Sequence, residues 1–341
     1  MGQRIAVAMS GGVDSSVAAY LLRQEGHDVL GLFMRTGVDQ GDAPESARRV
    51  AERLGIEFAV VDLSDPFRWI IDYFCNEYCR GRTPNPCILC NPRMKFGHLF
   101  GEARRRGAEL LATGHYARIE KGERRRLLRG VYRAKDQSYF LCRLTQDQLG
   151  RAIFPNGDKT KPQVREIARA AGLPVVERPE SQEVCFIPEN EYRSFLRDRR
   201  PAAFRKGLLK DATGAVLGEH GGHPLFTIGQ RRGLGVAVGE PRYVVRIDAE
   251  NNEVVVGPRD DLFRDSLTVA DVNWVSIPPP ASDLRVEVQI RYAHRAAAAT
   301  LRPLPSDRAA ITFDKPQLAV TPGQAAVFYD GDMLLGGGWI E

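Results

Sequence analysis

The stretch that most limits what this chain can become is Ser10-Gly11-Gly12-Val13-Asp14-Ser15-Ser16. Arg4-Ile5-Ala6-Val7-Ala8-Met9 before it reads as a buried strand. Ser15 to Leu22 after it carries apolar residues at helical spacing, with Gly26 a suitable stop. The motif is therefore a strand-to-helix turn. Its glycines permit positive φ and close approach of a ligand to the backbone, and its serines add hydroxyl donors. The new helix turns its free N–H groups and positive dipole end toward the turn, a combination that binds phosphate. There is no Gly-Lys-Ser/Thr ending as in a Walker A loop, and no Gly-x-Gly-x-x-Gly dinucleotide fingerprint.

Strands and helices go on alternating. Val29–Met34 reads as a second strand. Asp42 opens a helix with Glu45 three residues on, in capping-box spacing, and Gly55 closes it. Phe58–Val61 is a third strand, and Asp65-Pro66 opens a helix carrying Trp69, Ile70, Tyr73 and Phe74. A helix from about Phe96 to Arg106 leads to a strand at Leu110–Thr113. This order predicts an α/β fold, a parallel sheet with helices on both faces. Ligands of such sheets sit at the carboxyl ends of the strands, where Ser10, Met34, Asp62 and Gly114-His115 fall.

Residues from about 145 to 204 read as mainly helical, with one helix from Lys161 to a stop at Gly172 and another around Glu191–Arg199. From about 205 the period changes to short β-rich segments. Arg285–Tyr292 alternates apolar and polar residues, and Asp330-Gly331 reads as a hairpin turn. Pro278-Pro279-Pro280 reads as a stiff connector before a small C-terminal β-barrel. The expected division is a nucleotide-binding catalytic domain over 1–204, a small β-rich domain over 205–262 and the barrel over 263–341. No apolar run approaches the ~20 residues that span a bilayer, and the first residues enter a strand directly, so a cytoplasmic protein without a membrane partner is expected. The net charge of +5 permits a polyanionic partner.

Six cysteines, Cys75, Cys79, Cys87, Cys90, Cys142 and Cys185, do not read as a disulfide framework in a cytosolic chain. Arg80 to Lys95 holds three prolines, which argue for a loop presenting Cys87 and Cys90 as a C-x-x-C pair. Cys185 stands far away in Ser181-Gln182-Glu183-Val184-Cys185-Phe186-Ile187. Cys75 and Cys79 lie four apart in an aromatic-rich helix, where core packing is the expected role.

The turn Ser10–Ser16 resembles the PP-loop of ATP pyrophosphatases. Over the whole chain the resemblance is to bacterial tRNA 2-thiouridylases. It is carried by Gly31-Leu32-Phe33-Met34, Gly81-Arg82-Thr83-Pro84-Asn85-Pro86, Ala112-Thr113-Gly114-His115-Tyr116, Lys135-Asp136-Gln137-Ser138-Tyr139-Phe140, Cys185-Phe186-Ile187, Gly229-Gln230-Arg231, Arg291-Tyr292 and Thr321-Pro322-Gly323-Gln324. The resemblance implies ATP with Mg²⁺, held by Ala8, Met9, Ser10, Gly11, Gly12, Val13, Asp14, Ser15, Met34 and Gly114. It implies tRNA contacts at Asn85, Pro86, Cys87, His115, Lys135, Asp136, Gln137, Arg291, Tyr292 and Gln324. Cys185 would carry a persulfide received from a sulfur-donor protein, and Cys90 would be the nucleophile; inorganic sulfide is the other expected sulfur source. A monomer is expected.

The best-known members carry Asp where this chain has Cys87. The substitution makes Cys87, Cys90 and Cys185 a set of three thiols able to hold a [4Fe–4S] cluster with one iron open, a rival to persulfide cycling. Zinc would want a fourth ligand such as His115. Two other functions fit the phosphate turn: a PP-loop ligase or amidotransferase adenylating a small carboxylate, and a non-catalytic RNA-binding protein. The first shows no ammonia-supplying module, and the intact turn argues against the second. Arginine clusters at 104–106, 124–126, 197–200 and 231–232 add charge for a phosphate backbone.

Overall fold

The computed structural model describes residues 2–175, 184–187, 191–235 and 240–341. Its first sheet is wholly parallel: β1 (Arg4–Ala8), β2 (Asp28–Arg35), β3 (Glu57–Asp62), β4 (Leu110–Ala112) and a short β7 (Ala152–Ile153), in the order β3-β2-β1-β4-β7. The order reverses between β1 and β4, so a crevice opens beyond their carboxyl ends, where such sheets bind ligands. Helices α1 (Val13–Gln24), α2 (Ala43–Leu54) and α7 (Lys161–Ala170) cover one face, closing over Ile5, Val7, Val17, Val29, Phe33, Val50 and Val164. The other face packs Leu30, Leu32 and Leu111 against Phe67, Ile70 and Phe74 of α3 (Ser64–Cys79).

Helix ends follow local chemistry. Gly55 closes α2 in the left-handed conformation at φ +61°. Thr160 caps α7 in a reciprocal box with Gln163. Asp42 departs from expectation: it sits at the N-cap of α2 without a side-chain cap bond, and its carboxylate accepts from Ser46 Oγ at 3.1 Å.

The loop expected across 80–95 is confined to 80–85. Pro86–Cys90 is helical (α4), Asn91–Leu99 continues in wider π turns, and Phe100–Arg105 (α5) returns to α geometry. Pro86 takes the first helical position, where no N–H partner is needed. Pro92 would clash with the carbonyl four residues back, and the widened turns relieve that. Its own carbonyl accepts from Gln148 Nε2 at 2.8 Å, and Gln148 belongs to α6 (Gln146–Arg151).

Between the first sheet and the last lie the hairpin β5 (Ala117–Glu120) and β6 (Arg126–Arg129), helix α8 (Tyr192–Arg199) and a four-stranded sheet. That sheet is β8 (Gly207–Lys210), β9 (Val216–His220), β10 (Tyr243–Asp248) and β11 (Glu253–Gly257), in the order β10-β11-β8-β9. The last six strands are β12 (Phe263–Trp274), β13 (Leu284–Gln289), β14 (Ala297–Leu304), β15 (Arg308–Leu318), β16 (Ala325–Asp330) and β17 (Met333–Ile340). They form an antiparallel barrel closed by the β12–β17 pairing, and β17 also pairs with β6. Pro278–Pro280 joins β12 to β13 and so lies inside the barrel rather than before it. In the expected hairpin Asp330 still pairs with Met333, so the two-residue turn is Gly331-Asp332. The barrel is not separate from the first module: Ala325, Val327, Tyr329 and Leu334 share a core with Tyr139, Leu141 and Phe74. Among the described residues no helix is long and apolar enough to cross a membrane.

Candidate active site

The turn after β1 is held by its own hydroxyls. Ser15 Oγ accepts from Ser10 N at 3.1 Å and donates to Gly12 O at 3.1 Å, and Ser16 Oγ donates to the same carbonyl at 2.8 Å. Of the two glycines only Gly11 needs positive φ, at +75°. A Cβ there would also stand 2.4 Å from Ala43 O. Gly12 is the extended N-cap of α1. The turn is thus preformed, with the α1 N–H groups directed into the crevice.

Asp14 receives three donors from distant segments. Lys161 Nζ lies 2.7 and 2.9 Å from its two carboxylate oxygens, and Tyr116 OH donates at 2.7 Å. Asn156 Nδ2 ties Asp14 O to Gly114 O, at 2.9 and 3.2 Å. Sequence reasoning missed Lys161, Tyr116 and Asn156. One signal was present: Lys161 is a cation in the first turn of a helix, the unfavourable dipole end, and such a placement calls for an anionic partner. Lys161 also lines an open cleft of about 400 Å³ with Tyr132, Lys135, Pro162, Arg165 and Arg169. At Gly114 the backbone of α1 itself makes a close approach. A Cβ there would lie 2.7 Å from Asp14 C and Ser15 N, so the space it leaves is filled by α1 itself. Met34 packs against the core, and its carbonyl accepts from Gln40 Nε2 at 3.1 Å.

From this turn a run of neighbours leads toward the thiols. Gly114 touches α1, the adjacent His115 meets Lys95 Nζ through Nε2 at 3.4 Å, and Lys95 bears electrostatically on Cys87, Cys90 and Cys185. Cys185, from a segment far along the chain, acts electrostatically on Cys87 and Cys90 and raises both. The Ser181–Glu183 part of its motif lies outside the described residues. Burial pushes Cys87 up to about 11 and Cys90 up to about 12, with Lys95 pulling both the other way. Cys185 is exposed, yet partial desolvation of its sulfur by the surrounding chain still raises it. All three are free thiols. His115 is buried, Thr113 Oγ1 lies 2.6 Å from its Nδ1, and burial followed by Lys95 holds it well below the ordinary imidazole range. Cys75 is buried in the core, as expected.

Among the described residues no group of three or more His, Cys, Asp or Glu side chains is arranged to hold a metal ion. Both Asp14 oxygens are engaged by Lys161, so a magnesium ion arriving with a nucleotide would be held mainly by phosphate oxygens and water.

Several residues expected to touch RNA have internal partners. Asp136 is buried: it accepts from Arg129 Nη1 at 3.1 Å, Gly130 N at 3.0 Å and Ser138 Oγ at 2.9 Å. Gln137 Oε1 accepts from Tyr116 N at 3.1 Å. Arg291 Nη1 donates to Leu318 O at 3.1 Å, and Gln324 Nε2 to Thr83 O at 2.8 Å. Lys135 faces the open cleft. Tyr292 stays 37 % exposed, with its ring 4.4 Å from that of Phe140. Asn85 and Pro86 form the start of α4, beside Cys87.

Fold and site define a class: a parallel-sheet module with a preformed phosphate-type turn, cysteines on two further segments, and an attached β-barrel. Family models agree along the chain. One described as the HUP domain of tRNA methyl transferase matches residues 3–189, a PRC-barrel domain of the same description matches 193–258, and an aminomethyltransferase β-barrel domain matches 264–340. The chain is 50 % identical to the tRNA-specific 2-thiouridylase MnmA of Geobacter metallireducens, over 99 % of this chain and 97 % of that one. It is 46 % identical to the MnmA of Carboxydothermus hydrogenoformans (99 % and 98 % covered) and 44 % identical to that of Clostridioides difficile (100 % and 99 %). The chain belongs to the tRNA-specific 2-thiouridylase family, whose members are tRNA sulfurtransferases.

Proposed function

We propose that this protein converts the wobble uridine of tRNA to 2-thiouridine at the expense of ATP. The observation that supports the reading is the preformed Ser10–Ser16 turn, with Lys95 and His115 3.4 Å apart between it and the segment of Cys87 and Cys90, on which Lys95 and Cys185 both act electrostatically. The uracil C2 carbonyl is amide-like and its oxygen is a poor leaving group. In the first step that oxygen attacks the α-phosphorus of ATP, releasing pyrophosphate and leaving AMP on the base. The turn from Ser10 to Ser16 and the α1 N–H groups hold the phosphates, with Lys161 poised to trade Asp14 for them.

In the second step the outer sulfur of a Cys185 persulfide, supplied by a sulfur donor, adds to C2, and AMP departs with the former oxygen. The Cys90 thiolate then attacks Cys185 Sγ. A Cys90–Cys185 disulfide forms, the sulfur–sulfur bond to the base breaks, and its electron pair stays as the C2 thiocarbonyl. An external thiol reductant resets the pair with two electrons. Lys95 favours the thiolate in an otherwise thiol-raising environment. The base must leave the anticodon stack to enter the crevice; the exposed Tyr292 and the cleft-lining Lys135 support contacts to the surrounding nucleotides.

The test is thiouridine formation by Cys90→Ala and Cys185→Ala. Each should abolish it while leaving tRNA affinity within about twofold, because neither thiol supplies charge to the phosphates. Normal output from either variant would remove the mechanism. Iron analysis of anaerobically purified protein decides the sulfur route. Active protein free of iron supports the persulfide cycle, and activity that requires about four irons per chain replaces it with cluster-bound sulfide.

A further inference from the structure

β2 runs on past β1, and its overhanging end turns a backbone edge toward the phosphate turn. The last register pair of the two strands is Ala8 with Leu32, and Met9 N then donates to Leu32 O at 2.8 Å. Successive peptide groups of a strand point to opposite sides. Arg35 O accepts from Leu63 N at 2.9 Å, on the β3 side, so Met34 O points the other way, past the end of β1. Two side-chain bonds cap this edge: Gln40 Nε2 donates to Met34 O at 3.1 Å, and Gln40 Oε1 accepts from Thr36 N at 3.2 Å. Both partners are backbone groups of fixed polarity, so the orientation of the carboxamide is settled. Its pattern, an N–H donor beside an acceptor, is that of the Watson–Crick edge of adenine, where N6–H donates and N1 accepts. Guanine carries the reverse, an O6 acceptor beside an N1–H donor. We propose that Gln40 stands in for adenine on the Met34–Thr36 edge, that ATP must displace it to bind, and that this competition sets the affinity of the site for ATP.

The placement of the loop fits this role. A nucleotide with its phosphates at Ser10–Ser16 sends its base along the carboxyl ends of the strands, and the end of β2 is the neighbouring edge. The loop after Thr36 returns to the phosphate turn, since a Cβ at Gly11 would stand 2.4 Å from Ala43 O. Residues 37–42 therefore bridge the base edge and the turn. The loop is anchored at its start, where Thr36 is buried and Val38 packs against the core. Gln40 itself lies between Gly37 at φ +75° and Gly41 at φ +54°, and no atom stands within 4 Å of a Cβ at Gly41. The Gln40 end thus has room to turn aside while Val38 stays docked. Adenine would replace two hydrogen bonds with two of the same kind, so Gln40 is exchanged and the edge is never left unsatisfied. The apparent affinity for ATP is then the intrinsic one scaled by the fraction of molecules whose edge is open.

This inference rests on the proposed use of ATP in this crevice, so wild type is measured beside Gln40→Ala and Gln40→Met. The second keeps an unbranched side chain of similar length without either polar atom. The whole chain is titrated calorimetrically with ATP and, separately, with inorganic pyrophosphate, both with Mg²⁺. Pyrophosphate has no base and reports on the phosphate turn alone. Both variants should bind ATP about three- to tenfold more tightly than wild type, with pyrophosphate affinity within about twofold. ATP binding that is unchanged or weaker in Gln40→Ala would overturn the inference. Tightening confined to Gln40→Ala would overturn it too, because bulk rather than hydrogen bonding would then block the base. Equal tightening for ATP and pyrophosphate would move the effect to the turn and end the inference as well. If wild type binds no ATP, the underlying reading of function fails instead.

Discussion

Lys161 offers the sharpest perturbation of the nucleotide site. Its side chain is only 9 % exposed and its partner Asp14 is 33 % exposed, so the pair is half sheltered. Replacing Lys161 with Met removes two charge-assisted contacts, at 2.7 and 2.9 Å. Hydrogen bonds to charged groups contribute about 1.5–3 kcal/mol. Tyr116 and water still solvate Asp14, so the expected stability loss is about 2 kcal/mol, below the 3–5 kcal/mol typical of breaking a fully buried pair. The functional loss has a separate origin. Asp14 would then face the incoming phosphates uncompensated, and one like-charge pair at about 4 Å and an effective dielectric of about 20 costs roughly 4 kcal/mol. Halved for partial exposure, that is about 2 kcal/mol, or roughly a 30-fold rise in the ATP concentration needed for half-maximal exchange. Urea denaturation and ATP–pyrophosphate exchange read the two effects. The double variant Asp14→Asn/Lys161→Met should recover about half the stability loss, because the stranded charge is gone. A Lys161→Met protein with wild-type ATP dependence would refute the reasoning, whatever its stability.

Two further predictions concern the thiols and Gly114. With Cys90 pushed up to about 12 and Cys87 up to about 11, both are almost wholly protonated near neutrality. Single-turnover transfer should therefore rise close to tenfold per pH unit from pH 7 to 9, and a flat profile would exclude rate-limiting attack by a buried thiol. The same raised values stabilise the fold below the ordinary thiol value of 9.0, and that contribution is lost as pH climbs from there toward 11–12, so the melting temperature should fall over that window. Gly114→Ala sets a Cβ 2.7 Å from the backbone of Asp14 and Ser15, which cannot yield as a flexible side chain would. It should cost about 1–3 kcal/mol in urea denaturation and depress ATP exchange, and a neutral result would show that the β4 and α1 ends move apart freely.

The first strand, the phosphate turn and the helix after it were legible because each rests on near neighbours: an apolar run, two glycines, and apolar residues at helical spacing. Gly55 and Gly172 as helix stops were legible for the same reason, and both have positive φ. What escaped depends on partners far along the chain. The Asp14–Lys161 pair joins two elements, and neither residue announces the other. The three prolines in 80–95 pointed to a loop, yet one of them can start a helix and another is absorbed by π turns. Asp136, Gln137 and Gln324 were expected at the RNA surface from their motifs. Their side chains also hold neighbouring segments in place, a role that a one-dimensional motif does not contain.

The most direct test of the account follows the two thiols through one turnover. Protein preloaded with persulfide is mixed with ATP and unmodified tRNA, quenched in acid, and mapped by mass spectrometry for the Cys90–Cys185 linkage alongside the thiouridine formed. The account predicts one disulfide for each thiouridine, and neither without ATP. Thiouridine accumulating while both cysteines remain free thiols would contradict it.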